Sequence, residues 1–482
     1  MIKKIATYII IIGTFISLIW IIIEKGNNIV RTDKTELAQN LNSTFSDKTK
    51  PVVIDSDESV FKQLTNNVRY PISILFLQVL IILVTSKVFG IILRMLGQQT
   101  VIGEIIAGIF LGPSILGWLF PDLFALIFPH DSLISLQFLS QIGLVFFMFV
   151  IGMELDLSKI KNKTQDAVII SHASIIFPFF LGACLSYFIY DYLAPRNVNF
   201  LSFTLFMGIA MSITAFPVLA RILKERGLTR TPLGVLAITC AAADDVTAWC
   251  LLAAVIAIVK AGSIVSSLFT IGLAIIYILF MFKVIRPWVQ TISEKRNNGE
   301  KVDKTTIAIS FFVLLLSAYF TEIIGIHALF GAFIAGVIMP NNIHFKDILI
   351  NKIEDVSTVL LLPIFFAFTG LRTQIGLLNT SYLWFICGIV ILVAIIGKFG
   401  GSALTARIVG HKWRDALSIG ALMNTRGLME LVVLNIGYDL GILSPEIFAI
   451  MVLMALTTTF MTGPLLDLIN YVSKPQAVRK PA

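Results

Sequence analysis

Apolar runs of about 20 residues recur along almost the whole chain, each long enough to cross a hydrocarbon core of roughly 30 Å at about 1.5 Å per helical residue. A soluble fold that buried these runs as core helices would need far more polar surface than the sequence offers. Of 482 residues, 57% are hydrophobic and 14% charged, against roughly 25% charged in an ordinary soluble domain. The chain therefore reads as an all-α polytopic membrane protein.

The first apolar segment, about residues 5 to 23, follows Lys3 and Lys4. Residues 1–23 read as an N-terminal anchor helix or a signal segment, and the length and lack of a small-residue cleavage pattern before Glu24 favour the anchor. Residues 24–70 are polar, contain "NLNSTFSDKTK" and read as an extracytoplasmic loop. Thirteen further apolar segments are centred on 71–92, 100–118, 135–154, 166–190, 200–222, 232–258, 262–287, 305–322, 326–340, 354–371, 382–406, 415–437 and 445–470. They make one transmembrane domain over 71–472, followed by a short cytoplasmic tail at 473–482.

The formal charge of +8 does not point to nucleic acid, because the basic residues punctuate the ends of the apolar runs instead of clustering. With the N-terminus cytoplasmic, twenty-five basic residues fall inside or at inner segment ends, while the short outer loops hold Arg196, Lys260 and Arg372. Seven more lie in the 24–70 loop, whose length frees it from the positive-inside rule. Both termini are thus expected in the cytoplasm, with the protein in the cell (inner) membrane. Cys184, Cys240, Cys250 and Cys387 all sit in apolar segments and have no metal-ligand spacing to histidines, so no disulfide, resident metal or cofactor is expected.

Five ionisable residues stand out within the predicted spans, away from their ends: Asp244 and Asp245 in the sixth, Lys398 in the eleventh, Arg426 and Glu430 in the twelfth. Such a group costs on the order of 2.5 to 3.5 kcal/mol on insertion scales, so each needs a partner or a task. Adjacent helical residues point about 100° apart, so Asp244 and Asp245 cannot act as a dyad on one face. Arg426 and Glu430 are one turn apart and can form a structural ion pair. Lys398 has no acidic neighbour in its own segment, and Asp244 or Asp245 are the nearest unpaired candidates elsewhere; a pair with Asp244 would leave Asp245 free. A free carboxylate reached by water can hold a proton or a monovalent cation but rarely both, and competition at one carboxylate is already a mechanism of exchange.

Two spans also carry helix-breaking chemistry at mid-depth: "MSITAFPVLARIL", with Ser212, Thr214 and Pro217, and "ALMNTRGLMEL", with Asn424, Thr425 and Gly427. Interrupted helices in corresponding parts of two halves are the usual pointer to a transporter's binding site. The small residues of "GEIIAGIFLGPSILG" and "HALFGAFIAGVIMP" suit close helix contacts, including a subunit interface. Glu104, Glu154, Glu322 and His327 fall near span ends, where solvation explains them, and His172 reads as a satisfied interior histidine.

Together "ITAFPVLARIL", "AAADDVTAW", "GIHALFGAFIAGVIMP" and "MNTRGLMELVVLNIG" resemble the monovalent cation:proton antiporter-2 family, which includes Kef-type potassium efflux systems, bacterial sodium/proton antiporters and plant cation/proton exchangers. The likeness covers roughly residues 70 to 472. It implies a thirteen-helix antiporter fold with inverted repeats, two broken crossing helices, a homodimer and an elevator-like mechanism; the N-terminal helix is an addition to that pattern. On this template Asp245 binds cation and proton in turn, Asp244 and Thr214 join it as ion- and proton-binding residues, and Lys398 compensates the charge of Asp244. Plant-type exchangers commonly carry Asn at the position of Asp244, whereas the Asp-Asp form goes with electrogenic exchange in bacterial members.

The expectation is a secondary active antiporter exchanging Na⁺ or K⁺ for H⁺, not an enzyme, with Asp245 as the transient cation ligand. The alternative on the same scaffold is a gated K⁺ efflux pathway or cation channel, which needs a continuous filter of carbonyls or charge rings; no TVGYG-like run is present. An intramembrane aspartyl protease would need two carboxylates on one water, which adjacency disfavours.

Overall fold

The structure is a computed structural model that describes residues 13–14, 17–24, 70–154, 165–228, 231–261, 264–296, 304–340 and 343–472. Most of the first segment, the 24–70 loop and the 473–482 tail lie outside the described residues. The elements are α1 (Pro71–Met95), α2 (Thr100–Leu111), α3 (Leu133–Glu154), α4 (Gln165–Leu193), α5 (Phe200–Ser212), α6 (Phe216–Glu225), α7 (Pro232–Ala261), α8 (Ile264–Phe280), α9 (Lys304–Ile324) and α10 (Ala328–Val337). They continue as α11 (Ile343–Asp355), α12 (Leu362–Arg372), α13 (Ser381–Ile395), α14 (Gly401–Val409), α15 (Trp413–Met423), α16 (Leu428–Asp439) and α17 (Pro445–Val472).

Ten helices among the described residues are long and apolar enough to cross a membrane; α15 and α16 form an eleventh span bent by 41°, and α5 and α10 are shorter apolar helices. All thirteen expected segments are therefore helical, the fifth and twelfth as broken pairs. The order long span, broken span, long span occurs twice: α4, α5/α6, α7, and then α13/α14, α15/α16, α17. The two broken spans are an odd number of crossings apart, so they traverse the bilayer in opposite directions, which makes the repeat inverted.

The helices pack as two groups. One contains α4 to α7 and α13 to α17; the other contains α1, α2, α3 and α9 to α12, and α8 runs from α7 to α9. Close approach holds the second group together. A Cβ at Gly108 would run into the backbone of Ala367, and one at Gly152 into the carbonyl of Phe333, so these α2–α12 and α3–α10 contacts exist because there is no side chain to keep them apart. These glycines of the small-residue stripes therefore serve packing within the chain. Gly152→Ala is expected to destabilise by about 1–3 kcal/mol, the usual cost of overpacking, and to lower the melting temperature in detergent.

Within the first group an apolar cluster holds Ala215, Val218, Leu219, Ile222 and Leu223, then Ala237, Cys240 and Ala241, then Ala416, Ile419, Ala421, Leu422 and Met423, with Leu466 and Ile469. A second cluster takes over further along the same helices, from Ala242 on α7 and from Leu428 on α16. The segment between Met423 and Leu428, and the aspartates just past Ala241, mark the level where one core gives way to the other.

Candidate functional site

The site is built where two helices stop. α5 ends at Ser212, leaving the carbonyls of its last turn without intrahelical donors and with the negative end of the helix dipole exposed inside the protein. Two buried cations meet that end. Arg426 donates to Ala210 O at 3.1 Å and to Met211 O at 2.7 Å, and Lys398 Nζ donates to Ser212 O and to Ser174 O at 3.0 Å. The chain then passes through 213–215 and α6 begins at Phe216. Pro217 thus follows the break and does not mark it; its missing N–H costs nothing in a first helical turn.

The partner break runs from Asn424 to Gly427, and the two extended segments cross through a backbone bond from Ala215 N–H to Thr425 O at 3.0 Å. Gly427 takes φ 155°, outside the range open to residues with a Cβ, as α16 starts. Glu430 lies in the first turn of α16, where the dipole favours an anion, and its Oε1 is 3.3 Å from Arg426 Nη1. The two residues form the expected i,i+4 pair, but Arg426 belongs to the break rather than to the helix, and it also ties α16 to α5.

Asp244 and Asp245 face different surroundings. Asp244 is fully buried and saturated: Ser171 Oγ donates to Oδ1 at 2.6 Å, Ser174 Oγ to Oδ2 at 2.6 Å, Thr214 Oγ1 to Oδ2 at 2.7 Å, and Lys398 Nζ sits 3.2 Å from Oδ2. Ser171 and Ser174 are three apart on α4 and present one face to it. Sequence reasoning passed over both serines, although "SHAS" in an apolar span carries that spacing. Thr214 therefore serves Asp244. Lys398 reaches the carboxylate from a π-helical turn, Ile396–Gly400, between α13 and α14; such turns are frequent at functional sites.

Asp245 is 2% exposed, and neither carboxylate oxygen has a hydrogen-bond partner among the described residues. One turn along the same face of α7, Trp249 stacks on Phe333 of α10 with ring centroids 6.2 Å apart. Since α10 belongs to the other group, Asp245 lies on the side of α7 turned toward the boundary between groups, whereas Asp244 points into its own.

Polar contacts also cross that boundary at the helix ends. Arg372 of α12 pairs with Asp439 of α16 at 2.7 Å and donates to Asn435 Oδ1 at 3.2 Å, and Asn435 Nδ2 donates to Thr369 Oγ1 at 2.8 Å. Beside them a cavity of about 250 Å³ is lined by Gln137, Gln141, Lys260, Glu322, His327 and Asp439. His327 is the one non-glycine residue with positive φ among the described residues and accepts from Leu329 N–H as the cap of α10. His172 is half-buried, not interior, with Nδ1 2.8 Å from Val168 O of its own helix.

Residues 80–469 match the family model described as sodium/hydrogen exchanger, transmembrane. The Na⁺/H⁺ antiporter NhaS4 of Synechocystis sp. is 45% identical over 80% of this chain and 95% of its own length. Cation/H⁺ antiporter 17 of Arabidopsis thaliana is 40% identical over 83% of this chain and 49% of its own length, and K⁺/H⁺ antiporter 1 of Saccharomyces cerevisiae is 34% identical over 86% and 48%. The chain thus spans nearly all of the first relative and about half of the other two. The solved sodium proton antiporter MjNhaP1 of Methanocaldococcus jannaschii superposes with a TM-score of 0.57 at 15% identity, covering 82% of this chain and 95% of that one, a likeness of fold.

Proposed function

Since the chain belongs to the transmembrane sodium/hydrogen exchanger family, we propose that it is a monovalent cation/proton antiporter in which Na⁺ or K⁺ and H⁺ compete for Asp245. The observation that carries the reading is the asymmetry of the two aspartates. Asp244 accepts from three hydroxyls and a lysine, while neither carboxylate oxygen of Asp245, one residue on and equally buried, has a hydrogen-bond partner among the described residues. A carboxyl out of water favours its neutral, protonated form unless a cation replaces the proton. Either ligand therefore satisfies Asp245, both together do not, and the empty ionised state is the costly one. That ordering links loading of one ion to release of the other.

Asp245 alone gives one-for-one, electroneutral exchange. A second proton requires the Lys398–Asp244 pair to open and close during the cycle; on this proposal it does, and exchange is electrogenic. Each net charge then draws about 2.3 kcal/mol from a potential of 100 mV. Lys398→Gln removes the partner of Asp244 and is expected to leave exchange measurable but independent of membrane potential. Proteoliposomes with and without an imposed potential check this; retained voltage dependence would assign the second charge elsewhere.

Alternating access follows from the two groups of helices. The group bearing the crossing slides past the other like an elevator, carrying Asp245 from one side of the boundary to the other. Support comes from the position of Asp245 on the boundary face and from contacts that join the groups toward one end, among them Arg372–Asp439, Asn435–Thr369 and the Trp249–Phe333 stack. With both termini cytoplasmic, as the basic residues indicate, these contacts lie at or toward the extracytoplasmic side and close it. The same resemblance that suggests the elevator suggests a homodimer in the cell membrane. The test of the activity is cation-dependent proton flux in proteoliposomes across Na⁺, K⁺ and Li⁺: exchange without bulk conductance supports antiport, and conductance without coupling supports a channel.

A further inference from the structure

At the crossing, a second buried side chain shares the condition of Asp245. Asn424 is fully buried, and both its amide oxygen and its amide nitrogen lack a hydrogen-bond partner among the described residues. An asparagine side chain can make about four hydrogen bonds, and leaving a buried polar group unpaired costs about 1–3 kcal/mol. Local backbone needs do not account for the residue. Asn is favoured at helix ends because it tolerates left-handed backbone, yet Asn424 closes α15 at φ −75° and ψ −2°, which any residue adopts. Its backbone N–H is satisfied by Gly420 O at 3.0 Å, so its side chain is not needed to hold the turn.

Asn424 lies in the break between α15 and α16. α7 and α15 pack on each other, and both leave the shared apolar cluster just before these residues, α7 after Ala241 and α15 after Met423. The carbonyl of Met423 lies 3.3 Å from Thr214 Oγ1, which is itself 2.7 Å from Asp244 Oδ2. The chain therefore brings Asn424 to the depth of the aspartates, in the break that crosses α5/α6.

We infer that Asn424 is a specificity-determining residue of the transported cation: its amide oxygen replaces part of the ion's hydration shell while Asp245 supplies the charge. A neutral carbonyl-type oxygen is the ligand that hard monovalent cations accept when they shed water. The amide does not titrate, so it acts on the cation and not on the proton. The two side chains divide the work: Asp245 sees both ions, and Asn424 only one. This inference rests on the antiport reading above and assigns a ligand within that site.

The test uses the full-length chain in proteoliposomes. Asn424→Leu removes both polar atoms at similar volume. It is expected to melt in detergent at or above the wild-type temperature, because an unpaired buried amide is gone. It should also raise the apparent KM for the transported cation by about tenfold, with the pH midpoint of flux at saturating cation unchanged. Asn424→Ser and Asn424→Gln keep an oxygen at a different reach and should shift the ratio of Na⁺ to K⁺ KM values; they keep the question open to test if the leucine variant fails to fold. Unchanged cation KM values and an unchanged Na⁺ to K⁺ ratio in the folded variants overturn the assignment. Absence of cation-dependent proton flux in the wild type would instead overturn the antiport reading.

Discussion

Asp245→Asn is expected to abolish cation-dependent proton flux, a loss of more than about 100-fold, while the protein stays folded. Asn has nearly the shape of Asp and keeps two polar atoms, so packing on the boundary face of α7 is preserved. It can neither carry a proton nor neutralise a cation, and the competition that couples the two ions disappears. Folding should not suffer, because the substitution removes a group whose charged form is penalised on the order of 2.5 to 3.5 kcal/mol at membrane depth and whose oxygens have no hydrogen-bond partner among the described residues. Wild-type-like elution and melting in detergent, together with flux at the level of empty vesicles, is the predicted pair of results. Asp244→Asn gives a contrasting pattern: three hydroxyls and Lys398 lose a charged acceptor, so stability falls along with transport.

The largest effect on stability is expected at Arg426. Its guanidinium is fully buried, caps the last carbonyls of α5 at Ala210 and Met211, and neutralises Glu430. Arg426→Leu leaves a buried carboxylate without its cation and two helix-end carbonyls without donors. Breaking one side of a buried pair typically costs about 3–5 kcal/mol, enough to unfold a marginally stable protein. The double variant Arg426→Leu, Glu430→Leu removes the stranded charge and should recover much of the loss. The deficit that remains measures what the carbonyls of α5 need. Thermal unfolding in detergent reads both; a single variant as stable as wild type would mean that the pair contributes nothing to the crossing.

Much of this architecture is legible in the chain because membrane physics leaves it little choice. Spans must be apolar and of a set length, and charges inside them stand out against that background. Asp244, Asp245, Lys398, Arg426 and Glu430 are visible for this reason, and the rule that neighbours on a helix point apart already separates the two aspartates. What the pattern hides is local. Pro217 draws attention to the fifth span, yet the break precedes it, because proline fits the first turn of a helix better than the gap before it. Ser171 and Ser174 look like ordinary small residues until the fold turns α4 toward α7. Arg372 reads only as a basic residue of a short outer loop and Asp439 draws no notice, and their pairing across the two groups depends on tertiary packing that spacing does not encode. The glycines of α2, α3 and α10 advertise close contact without saying with what, and the contact is internal.

The central claim is that one carboxyl holds either a cation or a proton, and calorimetric titration of the purified protein with Na⁺ and K⁺ in buffers of different ionisation enthalpy tests it most directly. At a pH where Asp245 is protonated, cation binding should release about one proton per ion, apparent affinity should fall as pH falls, and Asp245→Asn should show neither binding nor release. Cation binding with no proton release, or release that survives in Asp245→Asn, would contradict competition at this site.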